Sequence, residues 1–257
     1  MRKGTVVSCA CIVVAMAYLG GLFAVQSAFA FPIPERLEFE ISYIGIPAGR
    51  VIQEVTQEGN EVHIVSTAKS ADWLKLFFPV DDRIESLLIR GAPPLFIGVP
   101  RLYRERIHEG WTRFEKEAAF DRDLLEVKTW DFLKKTVTTQ KITPRTYDTL
   151  SSFFYFRSAA LRVGASSFIE IFDCKQLWNT EVQVLRREQI KTELGTFNTI
   201  VIKPLLKFEG IFARTGDMHI WLTDDERRIP VQMKSQVKVG SFTVTLVGGS
   251  YWPRPAK

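Results

Sequence analysis

Apolar and polar residues alternate along most of this chain. Leu37, Phe39, Ile41 and Tyr43 take one side of a repeat whose other side is Glu38, Glu40 and Ser42. Val231, Met233, Val237 and Val239 oppose Gln232, Lys234, Gln236 and Lys238, and Phe242, Val244 and Leu246 oppose Ser241, Thr243 and Thr245. A period of two places successive side chains on opposite faces of an extended backbone, so these runs predict half-buried strands. Weaker runs of the same kind cover 51–57, 61–68, 83–90, 113–120, 123–130, 134–142, 181–190, 197–203 and 216–223.

Turn-forming residues separate the runs. Gly45 to Gly49 includes Pro47, Glu58-Gly59-Asn60 divides two strands, and His108-Glu109-Gly110 and Asp121-Arg122-Asp123 have the same character. Glu193-Leu194-Gly195-Thr196 and Thr223-Asp224-Asp225-Glu226 follow. Breaks this short favour antiparallel neighbours, because a parallel crossover needs a dozen or more residues. Two segments depart from the pattern. Asp148 is placed to cap a helix from Thr149 to Leu161, stopped near Gly164, with Leu150, Phe153, Phe154 and Leu161 on one apolar side. A shorter helix is predicted from Ser70 to Phe77, ended by Pro79. The fold class expected is mainly β, a β-rich α+β protein. Its long curved antiparallel sheet, or half-open barrel, carries one or two helices packed on it. One domain is expected over 31–250, with two halves of the sheet meeting near 143–149, and a flexible tail over 251–257.

The first thirty residues read differently. Arg2 and Lys3 precede an apolar stretch from Val6 to Val25, and Ala28-Phe29-Ala30 supplies small residues at a cleavage site. This is the pattern of a secretory signal cleaved after Ala30, which places the mature protein in the periplasm of a Gram-negative bacterium. The alternative is an uncleaved anchor in the inner membrane, since the apolar stretch approaches bilayer-spanning length. Cleavage leaves 227 of the 257 residues, ample for a core, and lowers the net charge from +5 to +3. An exported chain does not point to nucleic acid, so this charge suggests anionic lipid or another envelope polymer. Cys9 and Cys11 leave with the signal, and Cys174 alone forms neither an internal disulfide nor a cysteine metal site.

Reactive chemistry is sparse. His63, His108 and His219 stand apart, without the spacing of a metal site. Ser66-Thr67-Ala68-Lys69 matches a hydrolase motif, but in a strand residues three apart face opposite ways, so Lys69 does not reach Ser66. Asp81-Asp82 and Asp224-Asp225 lie at turns, where aspartate caps backbone. No cofactor motif and no catalytic residue emerges. Two surfaces remain. Trp73, Phe77 and Phe78, with Phe153 and Phe154, are candidates to line a groove between sheet and helices for an apolar ligand. Arg101, Arg104 and Arg106 are candidates for an anionic patch partner, or else form a solvated strand face.

Several blocks taken together resemble a known family. They are Tyr43-Ile44-Gly45-Ile46-Pro47-Ala48-Gly49, Asp148 to Arg157 followed by Gly164, Arg187-Glu188, Gly195 to Ile200, and Ile220 to Val231. In order and spacing they resemble the exported bacterial "domain of unknown function 3108" family. The resemblance implies an exported β-rich protein with no assigned activity and no catalytic residues to carry over. It also implies a half-open curved sheet like those of periplasmic lipoprotein carriers. The function expected is therefore a non-catalytic envelope protein that binds or carries a lipid, a lipoprotein-like ligand or another apolar molecule. The alternative is a structural protein that docks an envelope protein or wall partner, and a hydrolase of envelope glycan or lipid stands third.

Overall fold

The computed structural model describes residues 32–90, 97–205, 217–236 and 240–252. The predicted signal with its Ala28–Ala30 site, Val237 to Val239 and the tail 253–257 lie outside the described residues. The N-terminal strands are β1 Glu35–Tyr43, β2 Ile46–Glu58, β3 Glu61–Ser70, β4 Asp81–Ile89, β5 Val99–Glu109, β6 Thr112–Asp121, β7 Glu126–Asp131 and β8 Thr136–Lys141. Helix α1, Asp72–Lys75, interrupts β3 and β4. The second half holds β9 Thr146–Asp148, α2 Thr149–Ser158, β10 Ser166–Phe172, β11 Leu177–Thr192, β12 Gly195–Pro204, β13 Met218–Thr223, β14 Pro230–Gln236 and β15 Ser241–Gly249.

All fifteen strands form one sheet in the order β8-β7-β6-β5-β4-β3-β2-β1-β15-β14-β13-β12-β11-β10-β9. Neighbours are antiparallel except β9 and β10, as the short turns require. The hairpins close as the sequence predicts. Tyr43 pairs with Ile46 across the two-residue turn Ile44-Gly45, whose φ angles of 49° and 81° are the left-handed pair of a twist-matched hairpin. This turn is tighter than the Gly45–Gly49 reading: Pro47 and Gly49 already lie in β2. Three strands, β5, β9 and β10, fall outside the predicted runs. The shorter helix covers only Asp72–Lys75, because Pro79 and the start of β4 leave no room for more.

The sheet curls until its two edges meet without a ladder between them. Gln140 of β8 donates from Nε2 to the Lys175 carbonyl, and the Thr143 hydroxyl donates to Glu170. The segment 142–145 thus links the outer edges of the two halves, and β1 paired with β15 joins their inner edges. Helix α2 lies inside the curl. Its cap is the predicted one: Asp148 Oδ1 accepts from the backbone N–H of Leu150 at 2.9 Å and of Ser151 at 2.7 Å, and the Ser151 side chain returns the bond. The Ser86 hydroxyl on β4 donates to the other Asp148 oxygen at 2.6 Å, tying the helix start to the opposite wall. The helix is buried on several sides rather than along one stripe, with Leu150, Ser152, Phe154, Phe156 and Arg157 all buried. It separates a core of Val55, Ile64, Leu88, Tyr103, Phe120 and Phe172 from one of Ile169, Val182, Ile200, Ile202 and Leu222.

The last turn of α2 carries a buried ion pair. Arg157 donates from Nη2 to Glu35 Oε1 at 2.8 Å and from Nη1 to the other oxygen, with neither side chain more than 2% exposed. Its remaining N–H groups donate to the Arg227 and Arg228 carbonyls, each at 3.1 Å. The Tyr251 hydroxyl donates to the same Glu35 carboxylate at 2.7 Å, and Trp252 stands edge-on to Phe197. Tyr251 and Trp252 are therefore built into the fold rather than part of a loose tail. Near Gly249 (φ 133°), a Cβ would meet the Arg36 carbonyl oxygen at 2.2 Å, so this close crossing of β15 and β1 requires glycine.

Candidate functional site

The strands alternate in direction, so the sheet has two distinct ends. The β2–β3, β6–β7, β11–β12 and β13–β14 turns lie at one, the base, where Arg157 and Glu35 meet. Four turns of the N-terminal half, β1–β2, β3–β4, β5–β6 and β7–β8, lie at the other, the rim, as does the β10–β11 turn Asp173–Gln176. On several strands, burial of the inward residues falls from base to rim. On β1, Leu37 and Phe39 are fully buried, whereas Ile41 and Tyr43 on the same face are partly exposed. On β4, Leu88 and Ser86 are buried and Ile84 is not; on β13, Leu222 and Ile220 are buried and Met218 is not. Val51, Phe153, Tyr155, Leu177 and Met233 are likewise partly buried, packed on the core from its rim side. Helix α2 thus fills the concave face at the base and leaves an apolar basin towards the rim.

Polar groups sit at the basin floor on the β4–β7 side. Glu105 pairs with Lys116 at 3.1 Å, and the Tyr103 hydroxyl lies 3.2 Å from Glu105 and 2.7 Å from the Thr149 hydroxyl. Burial acts to lower the Lys116 pKa, but the Glu105 charge outweighs it and holds the ammonium form. Burial first, and then Glu105, push the Tyr103 phenol well above its ordinary value. Burial also pushes the Cys174 thiol far up, so it remains protonated and is not a nucleophile at neutral pH. Across the sheet Gln53, paired with Leu37 and Ser66, has a buried Oε1 with no hydrogen-bond partner. Among the described residues no cluster of three or more His, Cys, Asp or Glu side chains is arranged to hold a metal ion.

The predicted groove residues separate into two groups. Phe153 and Phe154 lie on α2: Phe154 is fully buried in the core, and Phe153 faces the basin with Ile84 and Leu177. Trp73, Phe77 and Phe78 are not beside them. They occupy the β3–β4 connection on the rim, 38% to 78% exposed. The rim residues hold together by contact: Trp73 Nε1 donates to the Pro47 carbonyl at 2.9 Å, and the Gly110 N–H donates to the Pro79 carbonyl at 2.8 Å. Gly110 (φ 59°) lies so close to Phe78 that a Cβ would meet its ring at 2.7 Å. Nine of the thirteen exposed large hydrophobic residues described lie on or beside the four N-terminal rim turns. These are Ile44 and Ile46; Trp73, Leu76, Phe77 and Phe78; Trp111; and Phe132 and Leu133. The sequence signal for this row was each turn's own apolar tip, which clustering of aromatics alone did not sort into inside and outside.

The arginine stretch is a strand, β5, and two of its three candidate arginines are ion-paired. Arg101 pairs with Glu61 at 2.8 Å and Arg104 with Glu117 at 2.6 Å, while Arg106 sits in register between Arg83 and Glu115. A cleft of about 320 Å³ opens beside them on the convex face, with Glu58, Glu61, His63 and Glu85 on its walls. Glu85 is bound there by Arg83 and lies 3.6 Å from His63. A ladder of alternating charges, rather than a naked basic patch, covers this side. The two aspartate pairs act as backbone caps: Asp225 accepts from the N–H of Arg227 and Arg228, and Asp82 from the N–H of His108.

No helix among the described residues is long and apolar enough to cross a membrane. No curated protein matches the chain. Among solved structures it is similar to a β-barrel-like protein of the DUF1849 family from Brucella abortus. That match has a TM-score of 0.54 at 12% identity and covers 84% of this chain and 96% of the other. At that identity the likeness is one of fold. The family model described as "Protein of unknown function (DUF3108)" matches residues 38–247, taking in the sheet from β1 to β15 and the helix inside it, and the chain belongs to that family.

Proposed function

We propose that this chain is an exported, non-catalytic envelope protein that binds a lipid or another amphipathic molecule. The ligand's apolar chain lies in the basin on the concave face, between α2 and the rim. The observation that carries the reading is the burial gradient: the same inward ladder that is sealed at Leu37 and Phe39 stands partly open at Ile41 and Tyr43, and β5, β13 and β15 repeat it. Ten methylenes removed from water supply about 8 kcal/mol. That is the scale of a micromolar Kd before the costs of ordering are met.

The test is a titration of the mature chain with a monomeric fluorescent long-chain fatty acid below its aggregation concentration. Saturable binding in the micromolar range is expected. Val51→Glu and Ile84→Glu place a carboxylate on the wall at positions already partly exposed, and each weakens binding at least tenfold while the melting curve shows a folded chain. Absence of saturable binding, or binding indifferent to both variants, overturns the reading.

A further inference from the structure

We infer that the rim is a docking edge for a lipid bilayer. Adjacent strands stand about 4.8 Å apart, so the four N-terminal rim turns follow one another at about 10 Å and span about 30 Å. Their tips are apolar and strongly exposed: Trp111 is 98% exposed, Leu76 85% and Phe77 78%. Turns at the base include the polar Glu58-Gly59-Asn60 and Asp224-Asp225-Glu226. The base carries single exposed apolar residues, Leu124 and Val163, so the contiguous apolar row lies at the rim, and such a concentration marks an interaction surface.

The shape of the row favours a bilayer over a protein partner. The exposed side chains stand along a row of strand connections that touch one another, with no groove among them, and a fluid surface receives such a row without matching its shape. Trp73 and Trp111 carry the residue type that settles at the membrane–water boundary. Three of the four turns place a cation directly beside the apolar tip: Lys75, Arg113, and Lys134 with Lys135. Asp72 pairs with Lys75 at 2.6 Å and Asp131 with Lys134 at 3.8 Å, which with Glu109 leaves one positive charge in excess, so headgroups are not repelled. The row also borders the mouth of the basin, so docking brings that mouth against lipid.

Flotation of the mature chain with mixed phosphatidylethanolamine–phosphatidylglycerol vesicles tests the inference. The chain is expected to float with the vesicles. Leu76→Asp with Phe77→Asp, and separately Trp111→Ser, lower the bound-to-free ratio at least tenfold. Phe168→Asp, at an exposed apolar position on β10 away from the rim, leaves it unchanged. All substitutions fall on exposed side chains, and unchanged melting curves verify the fold. A wild-type chain that stays with the unbound fraction, or equal loss from the rim and β10 variants, overturns the inference. The surface stands apart from the basin: fatty-acid binding retained by the Leu76 and Phe77 variant separates failure of one from failure of the other.

Discussion

Replacing Arg157 with methionine tests how the base is closed. The guanidinium makes two bonds to Glu35 and one each to the Arg227 and Arg228 carbonyls, all out of water. Arg157→Met leaves the Glu35 carboxylate buried with the Tyr251 hydroxyl as its remaining donor among these contacts. Removing one partner of a buried pair costs about 3–5 kcal/mol, because the other charge stays behind unpaired. At 2–4 °C per kcal/mol for a domain of this size, the melting temperature falls by about 6–20 °C. The double variant Glu35→Leu with Arg157→Met removes both charges, and only the two carbonyls and Tyr251 lose partners. It is expected within about 2 kcal/mol of the parent, more stable than either single variant. Urea unfolding followed by circular dichroism measures all four corners of the cycle. Additive single costs, or an Arg157→Met cost below 1 kcal/mol, would refute the reasoning.

Three further outcomes are expected. Asp148→Ala removes the cap of α2 and the acceptor of Ser86, and costs about 2–3 kcal/mol in urea unfolding; Asp148→Asn keeps the capping oxygen and costs less than half as much. Burial pushes the Asp225 pKa up, but bonds from Thr223 and Arg227 outweigh it and hold it below the usual range. A depressed folded pKa gives stability that is present above the unfolded value and lost as pH falls through the folded one. Asp225→Asn is therefore less stable than the parent at neutral pH, with the gap closing below about pH 4; a gap independent of pH counts against this account. In a thiol-reagent assay the native mature chain reacts slowly at Cys174 and the urea-unfolded chain quickly, because burial keeps the thiol protonated. Equal rates contradict the buried placement.

How much of this was legible in the sequence depended on the range of the interaction. Alternation at Leu37–Tyr43 and Phe242–Leu246 located β1 and β15, and Asp148 located the helix start, because each signal is local. The single apolar side expected for α2 was misleading: a helix enclosed by its own sheet buries Phe154, Phe156 and Arg157 in different directions. Nothing near Arg157 in the chain announces Glu35, which lies 122 positions away. Trp73, Phe77 and Phe78 were read as lining because aromatic residues are commonly buried, yet the tight path from β3 to Pro79 leaves them on the surface. Arg101 and Arg104 could be read as a solvated strand face or a basic patch but not as ion pairs, because their partners, Glu61 and Glu117, sit on other strands and meet them only in the folded sheet. The basin itself has no sequence signature, being the space where inward side chains outrun the length of α2.

The most direct test of the basin uses methionine. After loss of the first thirty residues, Met218 and Met233 are the chain's two methionines, and both lie on the basin wall. In the mature chain labelled with ¹³C at the methionine methyl groups, a saturating long-chain fatty acid is predicted to shift both signals. A spin label near the end of the acyl chain is predicted to broaden them both. Saturable binding that leaves the two methyl signals unmoved and sharp would contradict the account.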